Sequence, residues 1–116
     1  MPKSLNVWIA AIVLALAMSV RADVSFKDEV APILVERCAT CHNPQKNKGT
    51  YRVDSFETMM KAGESKKAPI VAGRPGESHL YELITTSDED DRMPAKGERL
   101  MAGQILTIQK WIAEGA

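Results

Sequence analysis

The sequence predicts a small all-α domain, and three observations support this prediction. Near both ends of residues 23–116, apolar residues recur at spacings of three and four, and this spacing is the period of a helix. A pattern that commonly starts helices, Ser or Asp followed three residues later by an acidic residue, stands at the start of two of the predicted helices. No run of alternating apolar and polar residues makes a convincing strand, and no internal repeat divides the 116 residues.

The first 22 residues have the organisation of a secretory signal peptide. Lys3 supplies the positive charge, an apolar stretch of 14 residues runs from Val7 to Val20, and Val20-Arg21-Ala22 precedes a predicted cleavage before Asp23. A membrane-spanning helix needs about 20 apolar residues, so an uncleaved anchor is the less favoured alternative. We therefore expect an exported, periplasmic protein whose single domain covers residues 23–116 and is not membrane-bound after cleavage.

The first helix of this domain is predicted to run towards Cys38. Ser25 and Asp28 resemble a capping box at its start. Pro32 removes one backbone hydrogen bond, so the sequence predicts either a kink or a regular helix that begins nearer Pro32. The apolar stripe of this helix comprises Phe26, Val30, Ile33 and Leu34.

Two shorter helices are predicted in the middle of the chain. Asp54 with Glu57 forms the second capping-box pattern, which predicts a helix over 55–62 with Gly63 as its stop. The segment 63–76 contains three glycines and two prolines and is predicted to be an ordered loop. Helical spacing returns over 77–85, through Leu80, Leu83 and Ile84.

The remaining segment ends in the last predicted helix. The acidic run 88–91 is interpreted as a solvated loop, because the glycine framework of a calcium loop is missing around it. The last helix is predicted over 102–113, ended by Gly115, with no obvious cap at its start. The first and last helices each have one apolar stripe, so we expect them to pack together. The stripe of the last helix comprises Ile105, Ile108 and Ile112, flanked by Leu106 and Trp111.

Residues 38–42 form a C-x-x-C-H motif, which is the signature for covalent attachment of haem c. Two thiols three positions apart can each add to one of the two vinyl groups of the porphyrin, and the adjacent imidazole can then bind the iron. The alternatives are a redox or structural disulfide and a zinc site. A thioredoxin-like motif would follow a strand, and no convincing strand precedes Cys38. A zinc site would need Cys38, Cys41, His42 and His79 as its four ligands, and the direct adjacency of Cys41 and His42 makes one tetrahedral shell awkward. The motif therefore predicts one haem attached to Cys38 and Cys41, with His42 as an iron ligand.

The composition of residues 23–116 suits a domain that is completed by a cofactor. Its 13 basic and 15 acidic side chains give a formal net charge of −2, and no basic patch of the kind that nucleic acid requires is evident. A buried haem would supply the apolar surface that a small core lacks. The aromatic side chains number only five: Phe26, Tyr51, Phe56, Tyr81 and Trp111.

The second axial ligand is less clear from the residues alone. A methionine thioether would favour ferrous iron and suit an electron carrier, but spacing alone does not choose among the candidates. Met93 lies 51 residues after His42, in a proline-flanked loop between two helices, whereas the other methionines are expected to pack on or beside helices. His79 is the rival ligand, and its alternative role is at the surface. The methionines of the domain are Met59, Met60, Met93 and Met101.

Taken together, these motifs resemble a class I cytochrome c, and more closely a planctomycete-type cytochrome c domain. The resemblance covers essentially all of residues 23–116. It implies a class I cytochrome c-like fold in which the N- and C-terminal helices pack together around a covalently bound haem, and it implies that Met93 is the distal iron ligand. The segments that carry the resemblance are 30–34, 38–42, 49–54, 73–80, Arg92-Met93-Pro94, Trp111-Ile112 and Gly115-Ala116.

The function expected from these observations is single-electron transfer between redox partner proteins, with His42 and Met93 retained in both oxidation states. We expect no enzymatic activity, because a six-coordinate iron has no free position and no acid and base pair stands beside the motif. The alternatives are a gas sensor or peroxidase-like module with a weak sixth ligand, and a dithiol adaptor without haem. A docking subunit within a larger complex is a further alternative. Arg52, Arg74 and Tyr51 are candidates for binding the haem propionates.

Overall fold

The computed structural model describes residues 23–116; the predicted signal peptide lies outside the described residues. Four α-helices, one π-helical turn and two 3-10 turns make up the described part, and it contains no strand apart from an isolated bridge between His42 and Asn47. The helical class is as predicted. The helices are α1 (Ala31–Arg37), α2 (Phe56–Met59), α3 (His79–Thr85) and α4 (Ala102–Ala113). No helix of this part is long and apolar enough to cross a membrane.

The first helical segment begins as the sequence predicts. The Ser25 hydroxyl accepts the backbone N–H of Asp28, and a π-helical turn, Phe26–Val30, follows this cap. The regular helix α1 starts at Ala31, so Pro32 lies in its first turn, where a missing backbone donor costs least. Of the two alternatives raised by Pro32, a helix that begins close to the proline is the one observed.

The predicted helix over 55–62 is wrong in its cap and in its length. Ser55, not Asp54, is the N-cap of α2, and its hydroxyl and the Thr58 hydroxyl each accept the backbone N–H of the other residue. Asp54 instead forms an ion pair with Arg52 at 2.7 Å. The helix ends at Met59 rather than at Ala62, and Met59 is buried.

Helices α3 and α4 lie where their apolar spacing predicts. A 3-10 turn, Pro75–Glu77, leads into α3. Helix α4 has the predicted bounds, and its start is capped by Gln104, whose side-chain oxygen accepts the backbone N–H of Met101. Gly115 follows the helix at φ +110, a conformation that favours glycine.

The first and last helical segments pack together, as predicted. Phe26 and Trp111 meet with ring centroids 5.3 Å apart, and α4 also contacts α3 and the turn Pro75–Glu77. Of the predicted stripe of α4, Ile108 and Ile112 are buried and Ile105 is partly buried, whereas the flanking Leu106 is 54% exposed. The core comprises Val30, Ile33, Leu34, Val53, Met59, Ile70, Leu80, Ile84, Leu100, Ile108, Trp111 and Ile112.

Ser78 is the buried polar residue of this core, and it secures the loop before α3. Its hydroxyl accepts the backbone N–H of Val71 at 2.9 Å and donates to the carbonyl of Arg74 at 2.9 Å. In Ser78→Ala the buried N–H of Val71 loses its partner, so we expect a loss of about 1–3 kcal/mol in the free energy of unfolding. Denaturant unfolding measures this loss. Ser87→Ala, at an exposed position, is the control. Equal denaturation midpoints for the two variants would contradict the stabilising role of the Ser78 hydroxyl.

Candidate functional site

A cavity of about 800 Å³ lies between the motif loop, α3 and the segment that precedes α4. Its volume is within the range of about 300–1,000 Å³ that small-molecule and cofactor sites occupy. The lining is largely apolar, which suits a flat hydrophobic group. The apolar residues of the wall include Val53, Pro69, Leu80, Leu83, Ile84, Pro94 and Leu100.

All the residues predicted to hold the cofactor line this one cavity. Cys38, Cys41 and His42 lie on one side of the lining, and Met93 belongs to the same lining. Cys38 and Cys41 are both free thiols. Burial raises the pKa of Cys38 to about 11, although the charge of Arg37 opposes this rise. The thiols and the imidazole therefore have the chemistry and the placement that fit a covalently bound haem.

The motif is held in a compact turn by backbone hydrogen bonds. The N–H groups of Cys41 and His42 both donate to the carbonyl of Cys38, and the His42 carbonyl accepts the N–H of Val53. Asn43 closes the turn, because its side-chain amide donates to the Ala39 carbonyl at 2.7 Å. These bonds bring both sulfur atoms and the imidazole to the same wall.

The tautomer of His42 follows from its hydrogen bond. His42 Nδ1 lies 2.8 Å from the backbone carbonyl of Tyr51, and a carbonyl can only accept, so Nδ1 carries the proton. In the neutral ring with this tautomer, Nε2 is the nitrogen available to a metal. The sequence predicts that such a partner exists but does not identify it.

Tyr51 is fixed at both ends and supports the imidazole. Its ring meets the ring of His42 edge-on at 5.5 Å, and its hydroxyl donates to the carbonyl of Met59 at 2.8 Å. Burial raises the pKa of this phenol above its ordinary value, and the nearby Cys38 adds to the rise. Tyr51 therefore holds His42 in place. Because its hydroxyl already has a partner, Tyr51 is a weaker candidate for binding a haem propionate.

The methionine loop is held on both sides. The Met93 N–H donates to the carbonyl of Leu83 at 2.9 Å, and the Arg92 guanidinium donates twice to the carbonyl of Gly97 at 3.1 Å. The Met93–Pro94 peptide bond is cis. Of the methionines in residues 23–116, Met93 is the one that lines the cavity. Met59 is in the core, as expected for a packing residue, and Met101 is 65% exposed.

His79 also lines the cavity, so sequence reasoning undervalued its position. Its side chain is 18% exposed, and its Nδ1 lies 3.2 Å from Glu82 Oε2. Donation from His79 is the main cause that lowers the pKa of Glu82, and the charge of Lys67 adds to this effect. A smaller cavity of about 320 Å³ adjoins the first and shares His79 and Met93 in its wall.

Two of the three candidates for the propionates lie elsewhere. Arg52 pairs with Asp54, Arg74 pairs with Glu77 at 3.2 Å, and neither lines the cavity. The basic side chains that do line it are Arg37, Lys48, Lys67 and Lys96. The sequence offered no signal for these, because their proximity arises from the folding of separate loops.

Glu89 connects the methionine loop to the segment that precedes α4 through two ion pairs, with Arg92 and Arg99, each at 2.8 Å. Donation from Arg99 is the main cause that lowers the pKa of Glu89 below its usual value of 4.5. A carboxyl group whose pKa is lower in the folded state than in the unfolded state stabilises the fold at pH values above its unfolded pKa. This contribution is lost as the pH falls through the pKa of the folded state. We therefore expect Glu89→Gln to lower the melting temperature at neutral pH.

The difference between Glu89→Gln and the wild type should disappear below the usual carboxyl range, since both then lack the negative charge. Thermal unfolding followed by circular dichroism at several pH values measures it. Glu57→Gln is the matched control, because Glu57 forms only an exposed pair with Lys61 and its loss should have little effect. A difference for Glu89→Gln that persists in acid would show that its cause is not this charge.

A small helical domain with a C-x-x-C-H motif in the lining of a largely apolar cavity has the features of a c-type cytochrome. Comparison with known families indicates the same class of protein. A family model described as Planctomycete cytochrome C matches residues 38–97, which is just over half of the 116 residues. The chain belongs to the planctomycete cytochrome c family, which implies haem c as its cofactor. No match was found among curated proteins or solved structures.

Proposed function

We propose that this protein is a periplasmic electron carrier that binds one haem c through Cys38 and Cys41, with His42 and Met93 as the axial ligands of the iron. The observation that carries this proposal is the presence of all four side chains in the lining of one apolar cavity. Bound haem supplies a single iron that cycles between ferrous and ferric states and so carries one electron. The protein transforms no substrate.

The surrounding residues would tune this site in a direction that suits a carrier. Tyr51 holds the His42 ring in one orientation, which limits rearrangement between the two oxidation states. The apolar wall excludes water, and a dry site disfavours the additional positive charge of the oxidised form. A neutral thioether from Met93 acts in the same direction. A raised reduction potential is therefore expected.

The proposal is tested by producing the full chain together with haem-attachment machinery. Haem should remain with the protein after acid extraction, and it should be extracted from Cys38→Ala/Cys41→Ala. The ferric protein should show the weak far-red band of sulfur-to-iron ligation, and the ferrous protein should not bind carbon monoxide. Retained haem with carbon monoxide binding would instead favour the sensor or peroxidase-like alternative. Failure to retain haem would reject the cytochrome assignment.

Export is part of the same proposal. Residues 1–22 are proposed to direct the chain to the periplasm, where it would meet its redox partners, and to be removed before Asp23. Cell fractionation and the N-terminal sequence of the holoprotein test this. A start at Asp23 in the periplasmic fraction is expected, whereas an intact Met1 in the membrane fraction would favour the anchor alternative.

A further inference from the structure

Arg99 joins the two ends of the segment 86–99, near the middle of which Met93 lies. Its guanidinium donates to the Thr86 carbonyl at 2.6 Å and to Glu89 Oε1 at 2.8 Å. Thr86 follows α3 and Arg99 precedes α4, and no helix or strand covers the residues between them. Side-chain hydrogen bonds, rather than regular secondary structure, therefore close this segment.

A second arginine supports the interior of the same segment. The Arg92 guanidinium donates twice to the Gly97 carbonyl at 3.1 Å, and its Nε lies 2.8 Å from Glu89 Oε2. The Glu89 carboxylate thus lies between the guanidinium groups of Arg92 and Arg99. Because Arg92 directly precedes Met93, these contacts restrict the backbone from which the thioether side chain extends.

The same segment is also bonded to the helix that leads into the C-x-x-C-H motif. Arg37, the last residue of α1, donates to the carbonyls of Glu98 and Arg99, which are 61 and 62 residues away along the chain. Cys38 follows Arg37 directly, so these bonds connect the residues that would attach the haem with the segment that would supply the methionine. We refer to the four side chains that make these contacts as the arginine network: Arg37, Glu89, Arg92 and Arg99.

Arg99 is the central member of this network and lies outside the cavities. It lines neither the larger nor the smaller cavity, and its side chain is 35% exposed, so it can act on a bound haem only through the residues that it holds. Its bond to the Thr86 carbonyl is partly buried, whereas Glu89 is 69% exposed, and exposed ion pairs contribute little. The bond to the carbonyl is therefore the more important of its two contacts.

We infer that Arg99 is a positioning residue for the second axial ligand, and that the arginine network keeps the Met93 thioether beside the iron in both oxidation states. A soft, neutral thioether prefers ferrous to ferric iron, so its bond is the weaker one in the oxidised protein. Retention there depends on the effective concentration of a tethered ligand, which falls when the tether gains freedom. The inference rests on the proposed function, since it takes Met93 as the ligand.

Imidazole tests the inference with the ferric holoprotein, because it competes with the thioether for the iron. The measured quantity is the midpoint, the imidazole concentration at which the far-red sulfur-to-iron band is half lost. In Arg99→Gln the midpoint should fall about tenfold, the factor that corresponds to the loss of one hydrogen bond to a charged group. A band that is absent from Arg99→Gln before imidazole is added would support the inference in the same way.

Two further variants grade the effect. Arg99→Lys keeps the positive charge but loses the planar fork of donors with which arginine meets two acceptors, so its midpoint should lie between those of the wild type and Arg99→Gln. Glu89→Gln should lower the midpoint less than Arg99→Gln does, because it leaves the bond between Arg99 and the Thr86 carbonyl in place.

Two controls separate positioning from changes in charge and in stability. Arg74→Gln removes the same charge from an exposed pair with Glu77 that lines neither cavity. Ser78→Ala removes buried hydrogen bonds to the backbone of Val71 and Arg74, outside the arginine network. Both controls should keep the wild-type midpoint. Melting temperatures verify that all variants are folded.

The outcomes separate this inference from the function on which it rests. An unchanged midpoint in both Arg99 variants, or an equal fall in either control, would overturn Arg99 as a positioning residue and leave the electron carrier intact. A wild-type ferric protein without the far-red band would reject Met93 as the ligand and this inference with it.

Discussion

Met93→Ala is expected to lower the reduction potential of the holoprotein by on the order of 100 mV or more, since axial ligation sets potentials over a range of about 0.8 V. The thioether is a soft, neutral donor that stabilises ferrous iron, and its loss removes that preference. The weak far-red band of the ferric protein should disappear with it, and the ferrous protein should then bind carbon monoxide. Redox titration and absorption spectroscopy measure these changes.

Met101→Ala is the matched control for this prediction. Met101 is 65% exposed and does not line the cavity, so its removal should leave the spectrum and the potential unchanged. A band that survives in Met93→Ala, or that disappears in Met101→Ala, would contradict Met93 as the ligand.

His79 makes a second comparison informative, because it lies in the same cavity wall as Met93. In Met93→Ala the iron would have either an open position or an imidazole in place of the thioether. Adding His79→Ala to Met93→Ala distinguishes the two. Carbon monoxide binding that increases on this addition would show that His79 takes the position when the thioether is absent, whereas equal binding would show that it does not.

Trp111→Ala is expected to cost about 3–5 kcal/mol in the free energy of unfolding, the range for removing a large aromatic side chain from a core. Trp111 is 5% exposed and packs on Phe26 between the first and last helical segments. Its removal leaves a cavity and loses the aromatic contact. For a domain whose total stability is in the usual range of about 5–15 kcal/mol, this loss is a large fraction.

Denaturant unfolding of the holoprotein measures this effect, and Leu106→Ala provides the control on the same helix. Leu106 is 54% exposed, so its truncation should cost much less than that of Trp111. Comparable losses for the two variants would show that the packing of the terminal segments contributes little to stability. Phe26→Ala should have an effect in the same direction as Trp111→Ala, since it removes the partner ring.

The sequence correctly predicted those helices whose capping residues and apolar spacing lie close together in the chain. The cap at Ser25, the bounds of α4 and the packing of the two terminal segments agree with the sequence analysis. Helix α2 did not, because the carboxylate that resembled its cap is paired with Arg52 and the neighbouring serine caps the helix instead. A capping pattern identifies a region of the chain, but competition among nearby polar groups decides which of them caps the helix.

The C-x-x-C-H spacing is enough to predict haem attachment, because the two thiols and the imidazole lie within five consecutive residues in an order that matches the chemistry of the porphyrin edge. Only the folded chain reveals that the Tyr51 carbonyl sets the tautomer of His42, and that Met93 and His79 both reach the cavity while Met101 does not. These features join residues far apart in sequence, and their proximity is decided by packing and backbone hydrogen bonds that a local pattern does not encode.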